Sequence, residues 1–464
     1  MSGTVHRVTV VILAAGEGKR MRSRQPKVLH PLCGRPLIAY PLRAARALAD
    51  RFVVVAPPDT PALRDALAPE VDIVEQRERL GTGHAVLQAK ARCVDGTILI
   101  LPADMPLVSA ETLEGLVAHH RATHAAATML TAVVPEPHGY GRVLRQGGRV
   151  KRVVEDRDAT DDEKKVAEIN TSVYCFEAER LWATLAEVRA DNDQGEYYLT
   201  DVIEILNRRG LRVEGVRVGD PREALGVNDR KQLAAAAAVQ RARILDRLME
   251  SGVTVLDPGS TYIEDTVAIA ADTVIYPHVV IEGPSTIGSD CVVGAGSHLT
   301  RVRLGERVQL KPYCILADSV VEDEAVLGPF CHLRPETHVG ARAHIGNFVE
   351  LKKTRLGKGS KANHLAYLGD ATIGADVNVG AGAITCNYDG LDKHSTFIGD
   401  DVFVGTNASL VAPITIGPKA YVGAGSTVTK DVPPGALVVE RSSAAVKEGW
   451  GERHAAKRAA KKKG

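Results

Sequence analysis

Short apolar runs alternate with stretches of helical apolar spacing over roughly the first 230 residues of the chain. The apolar runs lie at Val8–Leu13, Phe52–Ala56 and Thr97–Leu101, and helical patterns cover Pro36–Asp50 and Pro61–Leu67. Continuous apolar runs are typical of strands that are buried on both faces, and helices between them favour parallel pairing. The pattern predicts an α/β domain over residues 1–230 with a mostly parallel sheet, whose ligands bind at the carboxyl ends of the strands.

A helix-forming segment, KQLAAAAAVQRARILDRLMES, follows at residues 231–251 and ends before Gly252. Ala, Leu, Arg and Gln have high helix propensities, and a glycine commonly follows the last helical residue. Two interpretations stay open. The segment is either a rigid helical linker, about 30 Å long for 20 residues, or a helix packed on the first domain.

An aliphatic residue followed by glycine recurs through the remaining region, residues 252–464. Of the twelve successive spacings between these pairs, seven are multiples of six and the other five miss by one residue. A hexapeptide period predicts a parallel β-helix with three short faces per coil, in which the aliphatic residue points inward and small residues occupy the turns. The pairs begin at Ile287, Val293, Leu304, Leu327, Val339, Ile345, Leu356, Ile373, Val379, Ile398, Val404, Ile416 and Val422.

Two segments of this region depart from the period. The stretch TCNYDGLDKHST lies between Gly380 and Ile398, and we expect it to leave the coil as a loop, where functional residues often occur. The final GERHAAKRAAKKKG is basic and of low complexity. It predicts a solvated, disordered tail, with a minor role in binding nucleic acid or a partner as the alternative.

Composition places the chain among soluble globular proteins. Apolar residues make up 45% and charged residues 25%, and the formal net charge of +1 gives no overall field that favours nucleic acid or a membrane. The seven cysteines are odd in number and contain no C-x-x-C, which indicates free thiols in a reducing compartment. No apolar run is long enough to span a bilayer. We therefore expect a cytoplasmic protein without nucleic-acid or membrane partners.

Candidate phosphate chemistry begins directly after the first apolar run, in LAAGEGKRM. Glycines at this place allow a tight turn and a close approach of backbone N–H groups to a phosphate, and the cations Arg20 and Lys27 follow. The G-x-G spacing alone is more often a plain turn. It is also not a P-loop, because no G-K-[ST] follows at the required spacing.

Two further segments follow strands in the pattern. Gly81-Thr82-Gly83 can bring backbone amides against a base or ribose, or can form a simple strand-to-helix loop. Asp104 follows the apolar run Thr97–Leu101, where a carboxylate can hold Mg²⁺ beside phosphates or merely cap a turn.

The motifs carry more information as an ordered set than singly. LAAGEGKRM, PKVLH, LGTGH, the strand-end Asp104, GYGR, VVEDRDA, EINTS, QGEYYLTD and GVND occur in that order. Together they resemble the Rossmann-like sugar-1-phosphate nucleotidyltransferases. With the hexapeptide half attached, the chain is similar from Val8 to about Trp450 to the bacterial bifunctional N-acetylglucosamine-1-phosphate uridylyltransferase and glucosamine-1-phosphate N-acetyltransferase (GlmU) family, whose second half is a left-handed parallel β-helix.

The resemblance implies that the first half binds UTP, N-acetylglucosamine-1-phosphate and Mg²⁺, and forms UDP-N-acetylglucosamine and pyrophosphate. The sugar phosphate itself attacks, so the protein must align two anions and neutralise their charge with Mg²⁺, Arg20 and Lys27. Asp104 and Asn228 would ligate the metal. The other residues that the resemblance assigns to nucleotide and sugar are Leu13, Ala14, Ala15, Gly16, Gln76, Gly81, Thr82, Gly141, Glu155 and Asn170.

One departure from the family lies beside the metal position. Family members commonly have Tyr-Gly-Asp where this chain has Pro102-Ala103-Asp104. The carboxylate is retained, but an aromatic or hydroxyl contact is lost and Pro102 has no N–H to donate. The change bears on sugar selectivity and turnover, not on the type of reaction. The string PADMPL is also similar to nucleotidyltransferases of other pathways, such as those acting on molybdopterin.

In the second half, GKGSKANHLAYLGD places His364 in a break of the hexapeptide period. Acylation of an amine requires a base that works near neutral pH, and histidine is such a base. An ordinary solvent-exposed histidine is the alternative. A zinc site that includes His332, His338 and His344 is a further alternative, but the spacings do not fit one cluster.

By resemblance, the second half transfers acetyl from acetyl-CoA to glucosamine-1-phosphate, with His364 as the general base. The resemblance also implies a homotrimer with acetyl-CoA held between chains, in a site closed by Lys447–Trp450. The residues that it assigns to the sugar phosphate are Arg334, Lys352, Tyr367 and Asn378, and those that it assigns to acetyl-CoA are Ala381, Asn387, Tyr388, Thr406, Ala424 and Arg441.

Two other functions stay open as rivals. One is a monofunctional nucleotidyltransferase whose solenoid serves assembly, as in glucose-1-phosphate adenylyltransferases; His364 in its matching segment argues against it. The other is a non-catalytic scaffold, similar to subunits of translation-initiation exchange factors. Lys27, Asp104 and Asn228 argue against the scaffold.

Overall fold

The computed structural model describes residues 7–440 and 444–462. The chain divides into two compact units, Met1–Ile244 and Leu245–Gly464. Within the described ranges, no helix has both the length and the apolar character that a membrane crossing requires.

The first unit is built on one sheet of nine strands. Its order is β11-β7-β10-β6-β1-β4-β5, with β8 paired to β10 and β9 paired to β8. Along the main order only the pairs made by β10 are antiparallel, so the predicted mostly parallel sheet is confirmed. The strands of the unit are β1 Val8–Leu13, β2 Pro31–Leu32, β3 Arg35–Pro36, β4 Arg51–Ala56, β5 Val71–Glu75, β6 Thr97–Pro102, β7 Ala127–Val133, β8 Arg142–Gln146, β9 Arg149–Val154, β10 Glu168–Glu177 and β11 Val213–Arg217.

Helices cover both faces of this sheet. Alternate residues of one strand enter different cores: Val11 packs with one apolar cluster, while Val10 and Ile12 pack with the other. This is why the central strands have near-continuous apolar sequences. The helices are α1 Ala39–Ala44, α2 Pro61–Ala66, α3 Thr82–Gln88, α4 Ala110–Thr123, α5 Ala178–Leu185, α6 Asp201–Arg208, α7 Arg230–Glu250 and, near the end of the second unit, α8 Trp450–Lys461.

The helix predicted over Pro36–Asp50 is shorter in the structure. Pro36 pairs with Pro31 in the small β2–β3 hairpin, so helix α1 begins only at Ala39. Beyond Ala44 the chain continues in turns. The prediction over Pro61–Leu67 agrees with α2 to within one residue.

Helix α7 spans the predicted helical segment. Its early residues Leu233, Ala236 and Ala237 pack against an apolar cluster of the first unit that includes Leu37 and Leu107. This packing agrees with the second interpretation of the segment for the first half of the helix. The boundary between the two compact units falls inside α7, after Ile244.

The second unit is a left-handed parallel β-helix with three sheets of 11, 10 and 9 short strands. Every ladder between successive coils is parallel, for example Val274 with Val292 and Gln309 with Val326. The first face consists of β12 Thr254–Val255, β15 Val274–Ile275, β18 Val292–Val293, β21 Gln309–Leu310, β24 Val326–Leu327, β27 His344–Asn347, β30 Lys361–His364, β33 Asn378–Val379, β36 Phe403–Val404, β39 Tyr421–Val422 and β41 Leu437–Val438.

The other two faces follow the same pattern in each coil. The second face consists of β13 Tyr262–Ile263, β16 Val280–Glu282, β19 His298–Thr300, β22 Ile315–Ala317, β25 His332–Leu333, β28 Glu350–Lys352, β31 Tyr367–Gly369, β34 Ile384–Cys386, β37 Ser409–Val411 and β40 Thr427–Val428. The third face consists of β14 Ala268–Ile269, β17 Thr286–Ile287, β20 Arg303–Leu304, β23 Ser319–Val321, β26 Thr337–Val339, β29 Arg355–Leu356, β32 Ala371–Ile373, β35 Thr396–Ile398 and β38 Ile414–Ile416.

The aliphatic residues of the hexapeptide period fill the interior of the solenoid. All thirteen are buried, with no more than 4% of any residue exposed. The glycine after each lies close to the neighbouring coil. At Gly340, a Cβ atom would lie 2.7 Å from the backbone nitrogen of Lys358, which is closer than two non-bonded atoms can approach. The period therefore encodes both the core and the distance between coils.

Two expectations for the second unit need correction. The predicted loop is shorter than the stretch TCNYDGLDKHST, because its ends belong to β34 and β35 and only residues 387–395 leave the coil. The prediction of a disordered tail is wrong for residues 451–461, because they belong to α8, Trp450–Lys461. Ala, Lys and Arg are good helix formers, and this local propensity outweighs the low complexity of the segment. The helix is exposed along its whole length, so the solvated character of the tail is confirmed.

Replacing Gly340 by Ala is expected to destabilise the solenoid by roughly 1–3 kcal/mol, since the added methyl group forces neighbouring coils apart. Urea denaturation followed by circular dichroism measures the change. Gly451→Ala is the matched control, because a Cβ there has no atom within 4 Å. Equal stability of the two variants would contradict the role of glycine in coil spacing.

Candidate functional site

A cavity of about 700 Å³ opens at the carboxyl ends of the central strands of the first unit. Strands β1 and β6 are parallel neighbours, and Leu13 pairs with Pro102 at their ends. The segments that leave them stay together, because the Ala103 N–H donates to the Leu13 carbonyl over 3.0 Å. The sequence motifs after β1 and β6 therefore line one cavity.

Three polar groups from distant parts of the chain meet in this cavity. The Lys27 ammonium forms an ion pair with the Asp104 carboxylate and donates to the Asn228 side-chain oxygen over 3.1 Å. The Val227 N–H donates to the backbone carbonyl of Asp104 over 2.8 Å, which holds the GVND segment beside the end of β6. The Asp104 and Asn228 oxygens thus face one cation-sized position.

The turn after β1 depends on a glycine. Gly18 has a φ of +64°, and a Cβ on it would lie 2.7 Å from the Cβ of Lys27. A side chain at this position would push Lys27 away from Asp104 and Asn228. Arg20 lines the same cavity and is exposed to solvent.

The acidic residue in this turn is neutralised locally. Glu17 forms ion pairs with Lys19 and with Arg79. Contact with the Lys19 ammonium lowers the pKa of the Glu17 carboxyl. The negative charge of the Glu17 carboxylate is therefore balanced by these two cations at the edge of the cavity. Arg79 also lines the cavity, and no motif in the sequence indicated it.

The Gly81-Thr82-Gly83 loop is attached to the QGEYYLTD segment. The Gly83 N–H donates to the Tyr197 carbonyl over 2.8 Å, and the Leu199 N–H donates to the Thr82 hydroxyl over 3.0 Å. Gly81 has a φ of +103°, and a Cβ there would lie 2.7 Å from the Tyr197 carbonyl oxygen. The two glycines therefore allow a close approach between backbones.

Gln76 is 4% exposed and follows strand β5. Its side-chain amide donates to the Gly81 carbonyl over 3.1 Å and lies 3.2 Å from Nδ1 of His84. These contacts fix the orientation of the amide, and its oxygen remains as an acceptor. A planar base with one ring N–H is a suitable donor for it.

Another side of the cavity is formed by residues in and beside β8–β10. The Asn170 N–H donates to the Gly141 carbonyl over 2.9 Å. The Glu155 carboxylate lies beside Gly141 and accepts from the Thr200 hydroxyl over 3.1 Å. Burial raises the pKa of the Glu155 carboxyl, while the Thr200 contact opposes this shift. Tyr140 also lines the cavity, and burial raises the pKa of its hydroxyl.

Twelve of the fourteen residues predicted for the first half line the cavity. The other two, Gly141 and Glu155, are not among the described residues that line the cavity. Pro102 is on the surface, so its ring occupies the position at which family members commonly have an aromatic residue. The predicted residues on the cavity surface are Leu13, Ala14, Ala15, Gly16, Arg20, Lys27, Gln76, Gly81, Thr82, Asp104, Asn170 and Asn228.

In the second unit, cationic side chains gather at the end of the second face. Arg334 donates to Glu350 over 2.9 Å, and the Lys352 ammonium lies 3.6 Å from the Asp370 carboxylate. Contact with the Lys352 ammonium lowers the pKa of the Lys393 amino group, which belongs to the loop. Like charges held this close favour binding of an anion.

Two other predicted residues join this surface. A Cβ on Gly369 would lie 2.5 Å from the Tyr367 hydroxyl and 2.8 Å from the Asn387 amide nitrogen, so both side chains lie over Gly369. The Asn387 amide also donates to the Asp370 carboxylate. Tyr388 is 60% exposed, and its hydroxyl donates to the Gly390 carbonyl in the loop.

His364 lies at the end of the first face. The strand pairs Ala362–Val379, Val379–Val404 and Val404–Val422 align four successive coils. The residues two positions further on therefore occupy one column that runs along the solenoid axis. The column contains His364, Ala381, Thr406 and Ala424.

This column brings the predicted base together with three predicted acetyl-CoA residues. At about 4.8 Å per coil it extends about 14 Å from His364 to Ala424. Asn378 lies three positions before Ala381 on the same coil. Arg441 was also predicted to contact acetyl-CoA, and it lies outside the described residues.

The other histidines of the solenoid do not converge with His364. His332, His338 and His344 lie on the second, third and first faces respectively. His338 is paired with Glu322 over 2.6 Å. The arrangement argues against the alternative of a zinc site built from these histidines.

Comparison with known proteins finds a different family model in each half of the chain. The model of the MobA-like NTP transferase domain matches residues 10–198, and that of the bacterial transferase hexapeptide (six repeats) matches residues 266–301 and 395–430. Three relatives share the name Bifunctional protein GlmU. They come from Geobacter sulfurreducens (48% identical), Brevibacillus brevis (47%) and Koribacter versatilis (44%).

These similarities extend over nearly the whole of each chain. They cover 96%, 94% and 99% of this chain and 98%, 95% and 100% of the relative, in the same order. Each of these relatives is matched over both halves, and the resemblance in the sequence motifs is confirmed. The chain belongs to the GlmU family of bifunctional proteins.

Proposed function

We propose that the two sites divide the two reactions of this bifunctional enzyme between them. The second unit acetylates glucosamine-1-phosphate, and the first unit joins the product to the uridylyl group of UTP. The observation that carries the assignment for the first unit is the meeting of Asp104 and Asn228 at one cation, the Lys27 ammonium.

The residues present fit a magnesium ion. Carboxylate and amide oxygens are the hard ligands that Mg²⁺ prefers, and it commonly takes only one or two of them from the protein, with phosphates and water completing the shell. Asp104 and Asn228 would hold it. When bound, Mg²⁺ neutralises charge on the phosphates during transfer.

The residues of the chain perform the remaining tasks in uridylyl transfer. Gly16 opens the turn for the triphosphate, while Arg20 and Lys27 supply positive charge. Gln76 and the Gly81–Thr82 backbone select the base. The sugar phosphate oxygen attacks the α-phosphorus and pyrophosphate leaves, so alignment is the main contribution of the protein. Leu13, Ala14 and Ala15 complete the nucleotide wall.

The sugar is assigned to the opposite side of the cavity. Asn170 lines that side, and its backbone N–H donates to the carbonyl of Gly141, which lies beside Glu155. Glu155 is not part of the cavity lining and accepts from the Thr200 hydroxyl, so we assign it a supporting role and not a catalytic one. Pro102 removes one backbone donor, so the selectivity for the sugar rests on β8–β10.

In the second unit, Arg334, Lys352 and Lys393 supply the charge for the phosphate of glucosamine-1-phosphate, with Tyr367 and Asn378 around the sugar. His364 takes the proton from the amine as it attacks the acetyl thioester. The column of Ala381, Thr406 and Ala424 provides a narrow path for acetyl-CoA. Asn387, Tyr388 and Arg441 are assigned to the same ligand from the family resemblance. Small side chains along this column leave room for an extended ligand.

The homotrimer is supported by an exposed aromatic ladder. Tyr313, Phe330 and Phe348 stack with ring centroids 5.2 Å and 5.4 Å apart, yet 54%, 47% and 56% of these residues is exposed in the single chain. Each has a positive φ, which is costly for a bulky residue. Leu365, beside His364, continues the ladder and is 63% exposed. Burial against other copies would account for this apolar strip.

The cytoplasmic location stays a prediction from cysteine usage.

Asp104→Ala is expected to abolish uridylyl transfer and to spare acetyl transfer, because it removes one of the two metal ligands. Pyrophosphate release from UTP and N-acetylglucosamine-1-phosphate, measured over a range of Mg²⁺ concentrations, tests this. Acetylation by the same variant is the control for folding. Full uridylyl activity without Asp104, or a wild type indifferent to Mg²⁺, would refute the metal assignment.

His364→Ala is expected to lower acetyl transfer by at least about 10²-fold, the usual contribution of a general base. Thiol release from acetyl-CoA measures it, and uridylyl transfer should be unchanged. His298→Ala, on an earlier coil and paired with Glu282, is the matched control. Equal loss of both activities would contradict separate sites.

Phe348→Asp is expected to convert the trimer to monomers, since it buries a charge in the apolar contact. Sedimentation equilibrium at micromolar concentration measures the mass. Tyr276→Asp, an exposed aromatic outside the ladder, should leave the trimer intact. A monomeric wild type would remove the basis of the trimer proposal.

A further inference from the structure

The ring of His364 has a partner that no sequence motif singled out. The Nδ1 atom of His364 lies 3.0 Å from the Oδ1 atom of Asn347. Asn347 is in β27 and His364 is in β30, and the two residues are a register pair of adjacent coils. The contact therefore follows from the stacking of the solenoid.

The two ring nitrogens of a neutral histidine have different roles. One carries the proton and the other has the lone pair, and the hydrogen bond made by one nitrogen decides which form prevails. A side-chain carbonyl oxygen can only accept. If the Asn347 oxygen faces Nδ1, then Nδ1 carries the hydrogen and Nε2 has the lone pair.

We propose that Asn347 is a positioning residue for acetyl transfer, which holds His364 in the tautomer whose Nε2 accepts the proton of the substrate amine. This inference rests on the proposed role of His364 as general base. Asn347 does not touch the reacting atoms in this scheme. It acts on the ring from the preceding coil.

The residues around the His364 ring are consistent with Nε2 as the proton acceptor. The next coil places Ala381 in the same column as His364, and its methyl group has no polar atom to compete for Nε2. The Leu365 N–H donates to the backbone carbonyl of Asn347 over 3.1 Å, which ties the backbones together beside the ring. Nδ1 is thus occupied by the Asn347 contact, which leaves Nε2 as the ring nitrogen available to the substrate amine.

The step balances without any further reactant. The amine nitrogen forms a bond to the acetyl carbon, the carbon–sulfur bond of the thioester breaks, and CoA leaves as a thiol. The amine proton passes to Nε2 of His364 and is available to the departing sulfur. The Nδ1 hydrogen stays in place and is shared with Asn347 throughout.

Asn347→Ala is expected to lower the kcat of acetyl transfer about tenfold, with the KM for glucosamine-1-phosphate and the rate of uridylyl transfer unchanged. Asn347→Asp keeps an acceptor oxygen of the same size and should recover most of the rate. Asn363→Ala is the matched control, an asparagine in β30 next to the histidine. It should behave as wild type.

A spectroscopic measurement tests the tautomer directly. Nitrogen-15 NMR of histidine-labelled protein should assign the proton of neutral His364 to Nδ1 in the wild type and in Asn347→Asp. In Asn347→Ala the signal should move toward the tautomer protonated at Nε2. His364→Ala identifies the resonance.

The outcomes separate the two proposals. Loss of activity in His364→Ala, together with unchanged kcat and tautomer in Asn347→Ala, overturns the role of Asn347 alone. Retained acetylation in His364→Ala overturns the general base and with it this inference. A fall in kcat of Asn347→Ala that Asn347→Asp does not restore, or that Asn363→Ala shares, identifies a structural effect and also overturns it.

Discussion

Parallel pairing of strands in a fixed register is the constraint on which both halves of this protein depend. Parallel strands have their equivalent ends side by side, so whatever follows one strand lies next to whatever follows its neighbour. In the first unit this rule brings the turn after β1 beside Asp104. In the second unit it stacks the same position of successive coils, so that His364 is aligned with Ala381 and Thr406.

The two sites differ in how they place positive charge for anionic substrates. In the proposed function, each site holds a phosphorylated sugar beside a second anionic substrate. The first unit directs the Lys27 ammonium and the oxygens of Asp104 and Asn228 at one position. In the second unit the cations Arg334 and Lys352 lie along a surface. Each forms an ion pair, Arg334 with Glu350 and Lys352 with Asp370, which partly neutralises its charge.

Much of this architecture could be predicted from the sequence, because it depends on local periodicity. The hexapeptide period identified the buried residues of the solenoid, and the apolar runs identified strands β1, β4 and β6. Contacts between distant positions could not be predicted in this way. Nothing in the spacing shows that Asn228 meets Lys27, or that Tyr197 holds the Gly81 loop. The Asn347 contact was missed because the coil length, and not a motif, sets the pairing with His364. The helical tail was missed because composition was given more weight than local propensity.

The nine-residue loop at 387–395 shows how a solenoid accepts new sequence. Asn378 pairs with Phe403, a separation of 25 residues, whereas Lys361 pairs with Asn378 at 17. The coils before and after the loop keep their pairing, so the extra residues leave at a corner without disturbing the ladder. At a corner, the length of the connecting segment can therefore change without changing the register in which the strands of neighbouring coils pair. Substrate preference in such a protein can change by lengthening or replacing a corner segment, while the folded frame beneath it stays the same.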